Sequence, residues 1–449
     1  FGSDDRGIDT LIKVLRTDPL TDENRDNREA QLSSARVRGA AANALGATRN
    51  PKALQPLIVS MFDVELIFPQ VRGALTRIGA PAVPELVKVF KGEHAEVNKF
   101  ADANNFAADC SRGEGRKTRC TAPGALQYKA AIVLGDLRAR EAVPILTAQL
   151  AKPARTAFFD ASDVPGPPDH NGVLDALRKI ADPAAADAVL AYLKDPKTDD
   201  LTRPIAIDVY SMMTRETKAL DHLSNEMKND DQEVEEIRRS AGLAYARLVS
   251  SKEQLEPLDF MIARYMKEAA KYDDKAKGSK KQDEKEDAET TANGYRDLST
   301  LFWQHKVRAM VGVSCGEDPS CYIRFLKLPA DSLAAELKLP GSADLKKEVK
   351  DSYRIAAQER ALLELAKLGP KAASALPALL ELAESTERII REGVLLAMVQ
   401  VAKKPCDECT KKLDEVIKTQ EDQDRLSYLT ADTRVVRNYF AGATAGVSE

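Results

Sequence analysis

Six cysteines are the residues of this sequence whose type and spacing are best suited to chemistry, and they fall into three close pairs. The pairs are Cys110 with Cys120, Cys315 with Cys321, and Cys406 with Cys409. An even number of locally paired cysteines is typical of disulfides formed in an oxidising compartment. We therefore predict three disulfides and an extracytoplasmic location, in the periplasm, at the outer membrane or on the cell surface. Each bridge closes a short loop and should contribute roughly 2–3 kcal/mol to stability.

Three other interpretations of the cysteines stay open. Cys406 and Cys409 have the spacing of half a zinc site, but neither a second such pair nor a neighbouring His pair accompanies them. The same spacing occurs in thioredoxin-like redox motifs, which require a strand–helix–strand context that this sequence does not show. The third interpretation is that all six are reduced, buried thiols of a cytosolic protein.

Two predicted loop insertions, 91–124 and 153–171, carry candidate contacts to a partner. The first is rich in Asn, Asp, Gly and Arg, and the second contains four prolines. The second also contains His170, which we expect to be a surface polar residue. Long loops inside a repeat fold are often functional. The predicted partner-binding residues are Arg112, Arg116, Lys117, Arg119, Phe158 and Phe159. The alternatives are a decorated surface loop that needs its disulfide for order, and phenylalanines that tuck the second loop onto the body of the protein.

No catalytic constellation emerges from the sequence. Its four histidines, His94, His170, His222 and His305, lie in four separate predicted elements. The sequence contains no glycine-rich phosphate loop, no H-E-x-x-H and no G-x-S-x-G motif. We therefore predict a protein that is not an enzyme, with no catalytic, cofactor-binding or metal-binding residues.

Composition limits the class of protein further. With 43% hydrophobic but only 5% aromatic residues, the core should consist of closely packed Ala, Leu and Val helices. A net charge of −4 with many charges of both signs argues against a nucleic-acid surface, which would be basic. The sequence also lacks an apolar run of about 18 residues, so it predicts no membrane span.

The elements that must position these residues are short helices in pairs. In the stretch 35–62, the i, i+3, i+4 spacing predicts one apolar face for the first helix, formed by Val37, Ala40, Ala41, Ala44 and Leu45. Gly46 is predicted to end this helix, Asn50-Pro51 to form the turn, and Pro56 to begin a second helix. Related turn sequences recur at 78–84, 134–144 and 368–377, with a spacing of about 33 residues where nothing is inserted.

The small turn residues and the A-V-P-x-L start of the second helix, as at 82–86, resemble HEAT repeats, especially the bacterial HEAT-like kind first noted in phycobilisome lyases. The resemblance covers nearly the whole chain. It implies an all-α fold, a right-handed α-solenoid of about nine helix pairs. The arginine typical of the family is found at Arg38 but does not recur regularly, so we do not predict a continuous Arg/Asp ladder. Cys315–Cys321 and Cys406–Cys409 would each be a disulfide across the turn between the two helices of one repeat.

The predicted organisation is a single solenoid over residues 1–449 with insertions at 91–124, 153–171, 271–297 and 327–353. A capping helix is predicted at about 421–440. The charged run 271–293 should be a solvated linker or extend the preceding helix through its own ion pairs.

These features together predict a protein-binding scaffold of the bacterial cell envelope, without a cofactor, whose partners are envelope or surface proteins. Because the sequence starts at Phe1, a signal peptide or lipid anchor upstream is compatible with this prediction. Two alternatives stay open: a HEAT-like enzyme or accessory of the lyase or DNA-glycosylase kind, and a cytoplasmic adaptor. Ionisable residues clustered around Trp303, the only tryptophan, would favour the enzyme.

Overall fold

A computed structural model gives the architecture of the chain. It describes residues 5–17, 19–21, 23–24, 27–63, 65–103, 124–156, 168–229, 234–339, 345–421 and 428–441. Every regular element in these ranges is helical, and the one β contact among them is an isolated bridge between Thr156 and Pro168. The prediction of an all-α fold is confirmed. No helix within the described ranges is both long enough and apolar enough to cross a bilayer.

The α-helices follow one another along the chain with short turns or 3-10 segments between many of them. In chain order they are α1 (Asp5–Arg16), α2 (Arg28–Thr48), α3 (Leu54–Asp63), α4 (Phe68–Ile78), α5 (Ala82–Lys91), α6 (Ala95–Ala103), α7 (Ala125–Asp136), α8 (Val143–Leu150), α9 (Asp169–Ile180), α10 (Ala186–Lys194), α11 (Arg203–Met213), α12 (Leu220–Lys228), α13 (Glu235–Leu248), α14 (Glu256–Gly278), α15 (Gln282–Cys315), α16 (Pro319–Lys327), α17 (Ala330–Glu336), α18 (Lys347–Leu368), α19 (Leu376–Leu382), α20 (Arg388–Val401), α21 (Asp407–Glu421) and α22 (Tyr428–Ala441).

Packing divides the chain into two compact units. Unit 1 contains Phe1–Tyr192 and Lys403–Glu449, and unit 2 contains Leu193–Ala402. In unit 1 the first helices of successive pairs, α2, α4, α7 and α9, pack on one another in chain order. In unit 2 the first helices α11, α13, α15, α18 and α20 do the same. This neighbour-to-neighbour packing of helix pairs is the arrangement that a helical repeat protein uses to build its core.

Small residues allow neighbouring first helices to approach closely. A Cβ added to Gly46 of α2 would lie 2.5 Å from the Cα of Ala74 in α4, and one added to Gly135 of α7 would lie 2.6 Å from the Cα of Ala176 in α9. The predicted role of Gly46 as the end of its helix is therefore wrong. The helix continues to Thr48, and Gly46 is instead the point where two helices touch.

The apolar face predicted for α2 is also partly wrong. Val37 is 55% exposed, whereas Arg38, one position further on, is only 2% exposed. Arg38 is held inside unit 1 because its Nε donates to the carbonyl oxygen of Leu15 at 2.8 Å and its guanidinium pairs with Asp63. With these partners satisfied, the helix turns Arg38 and Leu45 inward, and Val37 toward solvent.

The charged run at 271–293 is helical, as in the predicted alternative that it extends the preceding helix, and not a linker. It forms the end of α14 and the start of α15, two antiparallel helices of 23 and 34 residues. Most of its side chains are exposed, and its buried residues are alanines on the facing sides of the two helices. The buried alanines of the two helices are Ala269, Ala276, Ala288 and Ala292. Their small size lets the two helices pack into a hairpin, which we call the α14–α15 arm.

Helices also occupy two other predicted insertions. The range 91–124 begins with α6, and the range 327–353 contains α17 and the first residues of α18. The predicted capping helix at about 421–440 corresponds to α22. This helix does not follow α20 in the stack of unit 2, because it packs on α4, α7 and α21 within unit 1.

Candidate functional site

The two loop insertions of unit 1 leave the helical body from one place. The main-chain N–H of Gly124, where the first insertion ends, donates to the carbonyl oxygen of Thr156, where the second begins, at 2.8 Å. Thr156 in turn forms the isolated bridge with Pro168, where the second insertion ends. A Cβ at Gly124 would lie 2.6 Å from the carbonyl oxygen of Arg155, so this junction requires glycine. We call the surface around this junction the insertion face.

Asp169 fixes the two ends of the second insertion. Its carboxylate, which is fully buried, accepts from the main-chain N–H of Arg155 at 2.9 Å and from the side-chain amide of Gln149 at 3.1 Å. The main-chain N–H of Asp169 donates to the carbonyl oxygen of Arg155 at 2.8 Å. A buried carboxylate with several donors is an effective clamp, because each donor satisfies one of its lone pairs.

His170 supports the same clamp, and its prediction as a surface residue is wrong. The side chain is 2% exposed. Its Nδ1 lies 2.9 Å from the hydroxyl of Tyr192 and its Nε2 lies 3.1 Å from the carbonyl oxygen of Gln149. With both ring nitrogens bound to protein groups, His170 holds α8, α9 and α10 together at the insertion face.

An open cavity of about 610 Å³ adjoins the junction. Its floor contains the buried amides of Gln127 and Gln149, and its rim is charged. The charged rim residues are Lys91, Glu93, Lys152 and Arg155. The Nε2 of Gln127 donates to the carbonyl oxygen of Phe90 at 2.9 Å, while its Oε1 has no hydrogen-bond partner among the described residues. Arg155 also pairs with the buried carboxylate of Asp169, its Nε lying 3.5 Å from Oδ2. Three cations against two anions leave the cavity with one net positive charge, which attracts acidic groups.

The residues that the sequence predicts as partner contacts lie outside the described residues. They are Arg112, Arg116, Lys117, Arg119, Phe158 and Phe159, and the pair Cys110 and Cys120 lies there too. The structure does describe the ends of both insertions, and it brings these ends together. The sequence offered no signal for this convergence, since 32 residues separate Gly124 from Thr156.

The other two cysteine pairs lie at the turns where the sequence places them. In the structure the Sγ atoms of Cys315, at the end of α15, and Cys321, in α16, are 2.04 Å apart. Cys406 and Cys409 are joined at the start of α21, with their Cα atoms 5.3 Å apart. Among the described residues no group of three or more His, Cys, Asp or Glu side chains could hold a metal ion. The oxidation of these thiols in the isolated protein stays a prediction.

Trp303 has a charged neighbour, but the arrangement is an ordinary surface contact. The Nζ of Lys306 lies 4.9 Å from the centre of the Trp303 ring, and Lys306 also pairs with Asp259, which is half exposed. His305 faces the interior instead. Burial, and then the charge of Arg308, lower the pKa of His305 well below its ordinary value, so its ring is neutral at pH 7.

Buried charge clusters on the first helices are a feature that sequence reasoning missed. In unit 1, Asp136 accepts from Arg72 at 2.6 and 2.9 Å and pairs with Lys179 at 2.8 Å. Lys179 also pairs with Asp175 at 2.7 Å. Burial raises the pKa of Asp136, but the charges of Arg72 and Lys179 outweigh burial and hold that pKa below its ordinary value. We call this group the Asp136 cluster.

A second cluster ties together the first helices of unit 2. The carboxylate of Glu359 in α18 pairs with Arg247 of α13 and Arg308 of α15, and Arg247 also pairs with Asp208 of α11. Burial raises the pKa of Glu359, but the charges of Arg308 and Arg247 outweigh burial and lower that pKa to about 2. A continuous Arg/Asp ladder was not predicted from the sequence, yet buried ion pairs link the first helices α11, α13, α15 and α18. The partners are irregularly spaced in sequence, which is why no period revealed them.

Comparison with known proteins agrees with the helix pairs. A family model described as the PBS lyase HEAT-like repeat matches residues 37–63, which correspond to most of α2 and all of α3. The chain therefore carries a HEAT-like repeat, and this resemblance is confirmed.

Solved structures and curated proteins add little beyond that repeat. Ten chains of solved structures match. One comes from work on a conserved phosphorylation switch that controls the interaction between cadherin and beta-catenin. It is 10% identical, covers 98% of this chain and 94% of its own, and has a TM-score of 0.27. No curated protein matches the chain.

Proposed function

We propose that this chain is a non-enzymatic HEAT-like scaffold of the cell envelope that binds a protein partner at the insertion face. The observation that carries the proposal is the convergence of both insertions at Gly124 and Thr156 beside a cavity of about 610 Å³. Binding residues are commonly placed on loops that a rigid framework positions. Here the clamp around Asp169 and His170 supplies the rigid framework.

The charges of the insertion face indicate the chemistry of the partner. The rim of the cavity contributes Lys91, Lys152 and Arg155 against Glu93. The sequence of the adjoining first insertion adds four basic residues, Arg112, Arg116, Lys117 and Arg119, beside two acidic ones, Asp109 and Glu114. A net positive charge at the cavity speeds the approach of an acidic segment and disfavours a basic one. The proposed partner therefore presents an acidic segment to the insertion face.

The location in the envelope rests on the cysteines. All six fall into close pairs, and two pairs are joined at the turns of helix pairs in the structure. The test is the intact mass of the natively purified protein after alkylation, with and without reductant. Protection of all six thiols until reductant is added supports the envelope. Alkylation of all six without reductant would move the scaffold to the cytoplasm and leave the insertion-face proposal to be tested separately.

The partner-binding role is tested by site-specific photo-crosslinking in cells. A photoreactive residue at position 148, which lines the cavity, should give a discrete adduct with one protein. The matched control carries the same residue at position 415, which lines a shallow groove on α21. Adducts of equal identity and yield at both positions, or none at position 148, would contradict the proposal.

A further inference from the structure

Four arginines of unit 1 lie close together where the ends of α2 and α4 meet α22. Arg49 directly follows the last residue of α2, and Arg77 belongs to the last turn of α4. Arg434 and Arg437 belong to α22, which packs on both α21 and α4. All four residues are partly exposed, so a small solute can reach them. We call this group the four-arginine cluster.

Asn438 of α22 brings two members of the cluster together. Its side-chain amide donates to the carbonyl oxygen of Gly73 and to the hydroxyl of Thr76, both at 3.2 Å. Arg77 directly follows Thr76 and lies one turn after Gly73 on the same face of α4. Arg434 lies one turn before Asn438 on the same face of α22. Each of the two helices therefore carries an arginine next to this contact.

Arg49 and Arg437 complete the cluster from the other elements. The Nη2 of Arg49 donates to the carbonyl oxygen of Ala441, the last residue of α22, at 3.3 Å. Arg437 forms a bidentate pair with Asp414 of α21, at 2.8 and 3.0 Å. Hydrogen bonds and an ion pair thus hold the ends of α2, α4, α21 and α22 around one patch of surface.

The positive charges of the cluster repel one another. Burial lowers the pKa of Arg77, and the charges of three arginines lower it further, whereas the charge of Asp414 raises it. The three arginines are Arg437, Arg434 and Arg49. Arg77 itself forms no ion pair with any residue in the described ranges. Four guanidinium groups and the one carboxylate of Asp414 leave these five side chains with three net positive charges.

The charge and the donor geometry of the cluster suit a tetrahedral oxyanion. A guanidinium group is a planar set of N–H donors that binds phosphate through two parallel hydrogen bonds. A phosphate monoester carries about 1.5 to 2 negative charges at pH 7 and three acceptor oxygens, so it can bind more than one arginine at once. The surface one turn before Arg77 is open, because a Cβ at Gly73 would meet nothing within 4 Å.

We propose that the four-arginine cluster is a binding site for a doubly charged phosphate group, either as the free ion or as a monoester. The bound group would neutralise the repulsion between Arg77 and its neighbours and link the ends of α2, α4 and α22. The cluster shares no residue with the insertion face, so the two proposals can be tested separately.

The test is isothermal titration calorimetry of the full-length chain with inorganic phosphate, in chloride buffer of constant ionic strength and neutral pH. We expect saturable binding that Arg77→Gln weakens by about tenfold or more, because the variant loses the one guanidinium of the cluster that lies at its centre without an ion pair. Arg36→Gln is the matched control, since it removes the same charge from an exposed position of α2 and should leave the affinity unchanged.

Glycerol 3-phosphate, titrated in the same way, distinguishes the two sources of the phosphate group. An affinity equal to or above that of inorganic phosphate supports a site that accepts monoesters. Binding of inorganic phosphate alone supports a site for the free ion. No saturable binding of either probe, or equal affinities of the Arg77→Gln and Arg36→Gln variants for phosphate, would overturn the proposal.

A second measurement uses the unaltered chain and so does not depend on the folding of a variant. Phenylglyoxal modifies accessible arginines, and peptide mass spectrometry identifies the modified positions. Phosphate at ten times its dissociation constant should slow the modification of Arg49 and Arg77 by roughly tenfold, because the bound fraction is protected. The modification of Arg36 should keep its rate. Equal modification of Arg77 with and without phosphate would also overturn the site.

Discussion

Single residues decide how closely the helices of this chain can pack. Gly46 and Gly73 are both glycines inside first helices, yet their surroundings differ completely. A Cβ at Gly46 would lie 2.5 Å from the backbone of Ala74, whereas a Cβ at Gly73 would meet nothing within 4 Å. A glycine inside a helix usually lowers stability relative to alanine. The close contact between α2 and α4 therefore explains the glycine at position 46, and the backbone conformation of α2 does not.

We therefore expect Gly46→Ala to destabilise unit 1, by about 1–3 kcal/mol, because α2 and α4 must move apart. Gly73→Ala is the matched control and should be neutral or stabilising by up to about 1 kcal/mol through helix propensity. Urea unfolding of both variants followed by circular dichroism measures the difference. Equal effects of the two substitutions would mean that the close contact at Gly46 does not limit packing.

Glu359 is the residue on which the charge cluster of unit 2 depends. Its carboxylate neutralises Arg247 and Arg308, and all three side chains are nearly inaccessible to solvent. The sequence could not reveal this cluster, because Arg247 and Glu359 are 112 positions apart and a lone glutamate looks like a surface residue. Only the packing of α13, α15 and α18 brings the partners together.

Glu359→Gln should cost on the order of 3 kcal/mol at pH 7, because it removes the counter-charge of the buried Arg308 and one of the two carboxylates that pair with the buried Arg247. The pKa of Glu359 is lowered from 4.5 to about 2 in the folded chain. Its contribution is therefore fully present above pH 4.5 and disappears as the pH falls toward 2. Unfolding midpoints in urea at pH 7, 4.5 and 2.5 should converge for the variant and the unaltered chain. Glu236→Gln, on the exposed side of α13, is the control, and a constant gap across this pH range would refute the assignment.

At the scale of elements, the helix pairs and their turns could be predicted from sequence, and helix in the charged run was one of two predicted alternatives. The packing of that run into the α14–α15 arm could not be predicted. Apolar periodicity locates helices whose faces bear Leu, Ile or Val. The arm instead buries Ala269, Ala276, Ala288 and Ala292, which contribute little hydrophobic signal among many charges. Its ion pairs between residues three or four apart, such as Lys281 with Glu284 at 2.9 Å, stabilise the separate helices. The same charges give residues 271–293 a composition that is typical of a solvated linker.

The arm should open when one buried alanine is enlarged. Ala292 is fully buried against α14, so Ala292→Arg should weaken the hairpin by about 1–3 kcal/mol. Hydrogen exchange in residues 271–295 would then accelerate by roughly tenfold or more. Ala270→Arg introduces the same side chain at an exposed position of α14 and should leave exchange unchanged. Slow exchange in both variants would show that the alanine contacts do not hold the arm together.

At the scale of the whole molecule, the sequence predicted the class of fold but not which segments distant in sequence pack on one another. Recurrent turn residues identify HEAT-like helix pairs because each pair places similar residues at the turn between its two helices. The return of α22 to α4 depends on a few side chains, among them Asp432 and Asn438, which no period marks. The same holds for the insertion face, where one main-chain hydrogen bond joins two loops. Contacts made once in the chain leave no repeat to detect, and the proposed insertion face is built from contacts of this kind.

We propose that the insertion face of unit 1 binds an acidic protein partner. The most direct measurement is quantitative co-purification from the native source with three tagged chains. They are the unaltered chain, Lys91→Glu with Lys152→Glu, and the control Lys411→Glu with Lys418→Glu, which makes the same change in net charge on α21. We predict that one partner is retained by the unaltered chain and the control but reduced about tenfold by the first pair of substitutions. Equal recovery of the same proteins from all three chains would contradict the proposed binding of a partner at the insertion face.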